Sequence, residues 1–189
     1  MEAVREYFKN IPGFNQSLWE ALSSKLEKKI YPKKTTLVEI GDIENYIWFI
    51  ESGDVRFVIP TFEDELTFGF AFSHEFFSAY DSFITKEPCA YQLKTISDCV
   101  IYRIHRDDLE ALYERLPTAE KIGRQMIEAT FIIKKKREMS FLTQSAEERY
   151  LALFTSKPAI IKTMPLKYVA SYIGITPQAL SRIRARIVA

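Results

Sequence analysis

The stretch "YIGITPQALSRIR", Tyr172–Arg184, decides how the rest of the chain is read. A pair of helices that cross closely needs a small residue inside the first. It needs a turn residue that tolerates positive φ, and apolar residues that lock the two together. Ala170 is the small residue and Gly174 the turn, and Val169, Ile173, Ile175, Leu180 and Ile183 supply the lock. Thr176 suits the cap of the second helix and Pro177 its first position. These residues together predict a helix-turn-helix unit.

The second helix has two unlike faces. At about 100° per residue, with Arg182 at zero, Gln178 lies near −40°, Arg186 near +40° and Ser181 near −100°. Leu180, Ile183 and Ile187 fall on the other side, at roughly +100° to +160°, and are expected to dock on the domain. Arg184 points away from the polar face. Arg donates two hydrogen bonds to guanine and Gln pairs bidentately with adenine in a major groove. Ser181, Thr176 and the helix start can hold phosphates. Lys167, just upstream, is a further phosphate contact. The other reading of this face is a basic surface on a two-helix module for protein contacts.

Charge supports the polyanion. The chain has a net charge of +1, but residues 1–129 hold 15 Lys/Arg against 22 Asp/Glu, a net of −7. Residues 130–189 hold 11 against 3, a net of +8. A basic end behind an acidic body suits double-stranded DNA. No apolar run is long enough to span a bilayer, and no membrane partner is expected. The N-terminal "MEAVREYFKN" lacks the apolar core of a signal peptide. Two cysteines, Cys89 and Cys99, make neither a disulfide framework nor a zinc site, which suggests a reducing cytoplasm.

Working back from the C-terminal unit, the first 30 residues read as helical, with a Ser17–Glu20 capping box opening "SLWEALSSKL". From Thr35 to about Arg103 the period becomes 2. Short runs such as "YIWFIES", "VRFVIP" and "VIYRI" alternate with glycine turns at Gly41 and Gly53. A roll, barrel or sandwich fits equally, interrupted by a helix-like "HEFFSAYDSF". After Arg106 the chain is helical, with a long segment from Thr118 to about Phe154. Ile122, Met126, Ala129 and Ile133 repeat at 4-3-4 spacing, as a dimer seam would. Ile127, Phe131 and Ile132 add a second apolar face, so the helix is expected to pack on the roll on one side and on a twin on the other. "KKKRE" at Lys134–Glu138 reads as a solvated face of that helix.

In this order, roll, long helix and terminal helix-turn-helix resemble the CRP/FNR family of bacterial transcription regulators over nearly the whole chain. "LVEIGDIENYIWFIESGDVRFV" looks like the family's roll segment. "SAEERYLALF" and "PLKYVASYIGITPQALSRIR" look like the version common in Bacteroidetes. The resemblance implies an α+β chain. Residues 1–116 would be a jelly-roll-like double-stranded β-helix carrying an effector pocket, 117–143 a dimerisation helix and 144–189 the DNA-binding domain. It also implies a homodimer on a near-palindromic site, with RNA polymerase as a candidate third partner. The DNA-binding set is Thr176, Pro177, Gln178, Ser181, Arg182, Arg186 and Lys167.

The effector is not fixed by this resemblance. Cyclic-nucleotide members carry Gly-Glu, then Arg-Ser or Arg-Thr about ten residues on. Here Glu75 matches the Glu, His74 stands for Gly, and Pro88-Cys89 stands near the Arg-Ser position. No arginine lies between Arg56 and Arg103, so a cyclic phosphate lacks its cation and no cyclic AMP binding is expected. Glu75, Phe76 and Cys89 remain the candidate pocket residues, with Phe77, Tyr80 and Phe83 as candidate filling. The first 88 residues contain no cysteine, which argues against an iron–sulfur cluster. Haem would have only His74 or His105. No P-loop, nucleophile elbow or HExxH occurs, so neither catalytic residues nor a metal site are expected. The main alternative function is a small-ligand sensor whose terminal helices mediate protein contacts.

Overall fold

The computed structural model describes residues 1–62 and 64–188. Two helices open the chain, α1 (Glu2–Phe8) and α2 (Gln16–Ser23). The Ser17–Glu20 capping box does not form. The helix starts earlier, and Asn15 caps it by accepting from Leu18 N at 3.0 Å. Asn is as good a cap as Ser, and Glu20 instead accepts from Gln16 Nε2 at 2.8 Å.

Eight strands follow: β1 (Glu27–Tyr31), β2 (Thr36–Val38), β3 (Tyr46–Ser52), β4 (Val55–Pro60), β5 (Glu65–Ala71), β6 (Phe76–Phe77), β7 (Gln92–Thr95) and β8 (Cys99–His105). They pair antiparallel into two four-stranded sheets, β1-β8-β3-β6 and β2-β7-β4-β5. Sequence places β1 in a helical region. Its first four residues are all exposed, so there is no alternation to read. It forms because it pairs along its whole length with β8, Glu27 opposite Arg103 through Tyr31 opposite Cys99. The "HEFFSAYDSF" stretch is likewise not one helix. It holds β6 and then the start of α3 (Tyr80–Thr85). Gly41 and Gly53 have φ of +91° and +101°, as their turns require.

The inner faces of the two sheets share a core of Trp48, Ile50, Phe57, Phe77, Leu93 and Ile101. The outer face of β3 and β8 is covered by α1, α2, α4 (Arg106–Arg115) and the start of α5 (Pro117–Thr143). Val4, Phe8, Leu22, Phe49, Tyr102, Leu112 and Ile122 meet there. The long helical segment does not reach Phe154. It breaks at Gln144, and a new helix α6 (Ala146–Ser156) starts from a Ser145/Glu148 capping box. Three more helices, α7 (Pro158–Thr163), α8 (Leu166–Tyr172) and α9 (Pro177–Val188), complete the chain. They share a third core with α6, built on Tyr150, Leu153, Ile160, Val169, Ala170, Ile173, Leu180 and Ile183.

Candidate nucleic-acid interface

The α8–α9 pair stands on that third core. Ala170 and Leu180 are fully buried, so the two helices cross closely where the small side chain allows it. Gly174 turns the chain at φ +79°. Pro177 opens α9, and Thr176 Oγ1 accepts from Ala179 N at 3.2 Å. With Leu180 and Ile183 turned inward, Thr176, Pro177, Gln178, Ser181, Arg182 and Arg186 are all exposed. Ile187 does not join the lock: it is 40% exposed, one turn beyond the last buried residue.

Two of the expected contact residues are engaged within the chain. Arg186 Nη2 donates to Glu147 Oε2 at 2.7 Å, and Lys167 Nζ sits 2.9 Å from Asp64 Oδ1. The Asp64 carboxylate raises the Lys167 ammonium pKa, and that ammonium holds Asp64 below the usual carboxylate range. Both pairs are solvent-exposed, so they exchange readily for other ions. Gln178, Ser181 and Arg182 have no side-chain partner among the described residues.

Asp64 belongs to the turn between β4 and β5, and α8 lies along this edge. Thr67 N donates to Ser171 Oγ at 2.7 Å, so the helix satisfies an edge amide of β5. The Arg56 guanidinium lies 4.1 Å from the centre of the Tyr168 ring, and Phe70 packs on Tyr172. Arg56 itself is buried and ion-paired with Glu65, which also holds Lys94. Burial alone would raise the Glu65 pKa, but its bonds to Lys94 and Arg56 outweigh burial and lower it.

The expected dimer seam is divided. Ile122 is buried inside its own protomer, against the cluster of α1, α2 and α4, and Met126 is half-buried on the same cluster. Ala129 and Ile133 are exposed. The apolar residues on the side of α5 opposite that packing are Phe131, Ile132, Met139 and Leu142, from 43% to 76% exposed. "KKKRE" is exposed apart from half-buried Arg137, although the Lys134 ammonium turns towards the roll. The Lys134 ammonium lies 5.5 Å from the Phe57 ring centre and 5.9 Å from that of Phe68. Desolvation, then Lys157 and Arg137, lowers its pKa.

The candidate effector residues are not brought together. Phe76 packs outward against Tyr7, Phe8 and Phe49. Cys89 is buried on the inner side, its Sγ 3.2 Å from Tyr91 O. Burial pushes its thiol pKa up, so it is a poor redox switch. Glu75 is exposed and caps its own turn, accepting from Phe72 N at 3.1 Å. Of the candidate filling, Phe77 lies in the roll interior, whereas Phe83 is buried beneath the Arg106 guanidinium with Tyr80 stacked on it. These residues do not fit a cyclic phosphate: among the described residues Glu75 pairs with no cation, and Trp48, Phe57 and Phe77 fill the interior. A cleft of about 240 Å³ lies elsewhere, beside Glu44 and Arg103. Glu44 is buried there, accepts from Trp48 Nε1 and Tyr46 N at 2.8 Å each, and has its pKa raised by burial. Its bonds are satisfied, which marks a structural carboxylate. No group of three metal-ligating side chains occurs among the described residues.

Residues 28–116 match the cyclic nucleotide-binding domain family. No curated protein sequence matches the chain. Solved structures resemble it over most of its length. The c-di-GMP responsive global regulator CLP of Xanthomonas campestris is 18% identical, with 92% of this chain and 91% of that one covered at a TM-score of 0.70. FixK2 of Bradyrhizobium japonicum is 14% identical, covering 86% and 84%, at 0.73. A candidate CRP/FNR transcriptional regulator of Eubacterium rectale is 15% identical, covering 97% and 88%, at 0.70. CLP and the Eubacterium rectale protein are described as regulators. Residues 28–116 thus belong to the cyclic nucleotide-binding domain family, and the whole chain has the fold of the CRP/FNR transcription regulators.

Proposed function

We propose that the chain is a sequence-specific, homodimeric DNA-binding regulator of transcription. One observation carries the reading: α9 buries Leu180 and Ile183 while leaving Gln178, Ser181 and Arg182 free on one exposed face. In a major groove Arg182 would read guanine and Gln178 adenine. Thr176, Ser181 and Lys167 would hold phosphates, and Arg186 would exchange Glu147 for the duplex. Pro177 sets the start of the helix rather than a polar contact.

Two protomers would join along Phe131, Ile132, Met139 and Leu142 of α5, placing two α9 helices about one helical turn of DNA apart. An apolar stripe of this kind exposed on a single helix is unusual for a monomer. No described helix is long and apolar enough to cross a membrane, and the working place we propose is the cytoplasm. RNA polymerase is proposed as a further partner on the strength of the fold alone. The roll, in this reading, is not a cyclic AMP receptor.

Selection of genomic fragments by the purified full chain tests the reading, with the retained DNA sequenced. The expected result is a shared near-palindromic motif, with retention falling steeply as salt rises. Retention without any common motif, or none at all, sinks it. The sensor alternative would give that second result.

A further inference from the structure

The last turn of α8 leaves carbonyls without helical donors, as every helix end does. Two arginines from outside the unit meet them. Arg137 Nη2 donates to Tyr172 O at 3.0 Å, and Arg149 Nε donates to Ile173 O at 3.0 Å. Arg149 Nη1 also donates to Gln144 O at 2.6 Å, at the end of α5. One guanidinium therefore joins the C-terminal ends of α5 and α8. Both ends carry partial negative charge, where a cation is favoured.

Phe141 lies between the two arginines, its ring centre 4.6 Å from the Arg137 guanidinium and 4.7 Å from that of Arg149. The ring also rests on Gly174, where a Cβ would stand 2.7 Å from Phe141 Cε1. Among the described residues neither arginine is paired with a carboxylate, and Arg137 Nε is buried without a hydrogen-bond partner. Both arginines are half-buried, and their charge-assisted bonds to carbonyls are stronger than neutral ones.

From this we infer that Arg137, Phe141 and Arg149 are positioning residues that fix the helix-turn-helix unit on α5. They set the distance between the two reading helices of a dimer without touching DNA. The inference rests on the proposed DNA-binding, dimeric reading. If α5 joins the protomers, the path from the dimer axis to α9 runs across the joint at Gln144–Ser145. Those two residues are extended, with Gln144 at φ −118° and ψ 146° and Ser145 at φ −67° and ψ 162°. Arg149 bridges that joint, and Phe141 wedges the turn that starts α9.

The test uses the full chain and the duplex that the wild-type protein selects. Further duplexes carry the half-sites one or two base pairs closer or farther apart, and another carries a single half-site. The wild type should prefer its own spacing by about tenfold or more, as bivalent binding requires. Arg149→Lys keeps the charge but loses the fork, and Phe141→Leu keeps an apolar contact but loses the ring. Both should cut that preference to within about threefold, with single half-site affinity and melting temperature near wild type. Arg182→Ala should weaken every duplex and leave the spacing ratio intact. If Phe141→Leu melts early, Arg149→Lys decides the matter. Variants that keep the wild-type ratio overturn the inference alone, as does a wild type indifferent to spacing. A wild type that retains no DNA overturns the functional reading, and the inference falls with it.

Discussion

Replacing Gly174 by Ala separates the two reasons for a glycine in the helix-turn-helix turn. At φ +79° any side chain costs about 1–2 kcal/mol in backbone strain. The added Cβ would also stand 2.7 Å from Phe141 Cε1. A free ring could swing aside, but this one is flanked by two guanidiniums. Overpacking of this kind costs about 1–3 kcal/mol more, giving about 2–5 in all. Gly41→Ala is the control. Its φ is +91°, but nothing lies within 4 Å of the new Cβ, so only the strain of about 1–2 kcal/mol applies. Urea unfolding of both variants measures the difference, expected at about 1–3 kcal/mol. Adding Phe141→Ala to Gly174→Ala should recover about 1–2 kcal/mol relative to additivity. The reasoning is refuted if Gly174→Ala costs no more than Gly41→Ala, or if the double variant is simply additive.

Lys134 is exposed along its length, but its ammonium lies over Phe57 and Phe68 with its pKa lowered, so Lys134→Met should stabilise the protein only slightly at neutral pH. A lysine lowered on folding penalises the folded state fully below its folded pKa. The penalty fades as pH rises from there towards 10.5, so the gain measured by thermal melting should shrink over that window. Ile132→Glu, in the middle of the free α5 stripe, should yield a folded monomer in sedimentation velocity. A dimer of unchanged stability would move the seam elsewhere. Calorimetry with cyclic AMP should show no heat of binding, and micromolar affinity would overturn the argument from Glu75 and Cys89.

What the sequence disclosed is what local rules govern. The turn at Gly174, the cap at Thr176 and the inward set of Leu180 and Ile183 each depend on residues a few positions apart. Strands β3, β4 and β8 announce themselves by β-branched and aromatic side chains. β1 does not, because its stability comes from pairing with residues roughly seventy positions away and not from a buried face. The end of α5 was legible in principle. "SAEE" holds a capping box, and Ser145 and Glu148 do exchange those hydrogen bonds.

The candidate site shows where local rules stop. A 4-3-4 apolar spacing says that one face of a helix seeks cover, not what provides it. Ile122 is covered and Met126 half-covered by the chain's own first helices, which leaves the second face, with Phe131 and Ile132, for a partner. Lys167 and Arg186 read as free cations because their acids lie far off in sequence, Asp64 on the β4–β5 turn and Glu147 at the start of α6. This also changes the meaning of the charge asymmetry. The acidic body and basic end are not merely separate. At two points the body's or linker's carboxylates occupy the cations that a duplex would use. If the chain binds DNA as proposed, a phosphate would displace a carboxylate at each, an exchange of one exposed ion pair for another, and so of small net cost. On the proposed DNA-binding reading, discrimination between sequences would then fall to Gln178 and Arg182, which would give up no internal bond on meeting a base.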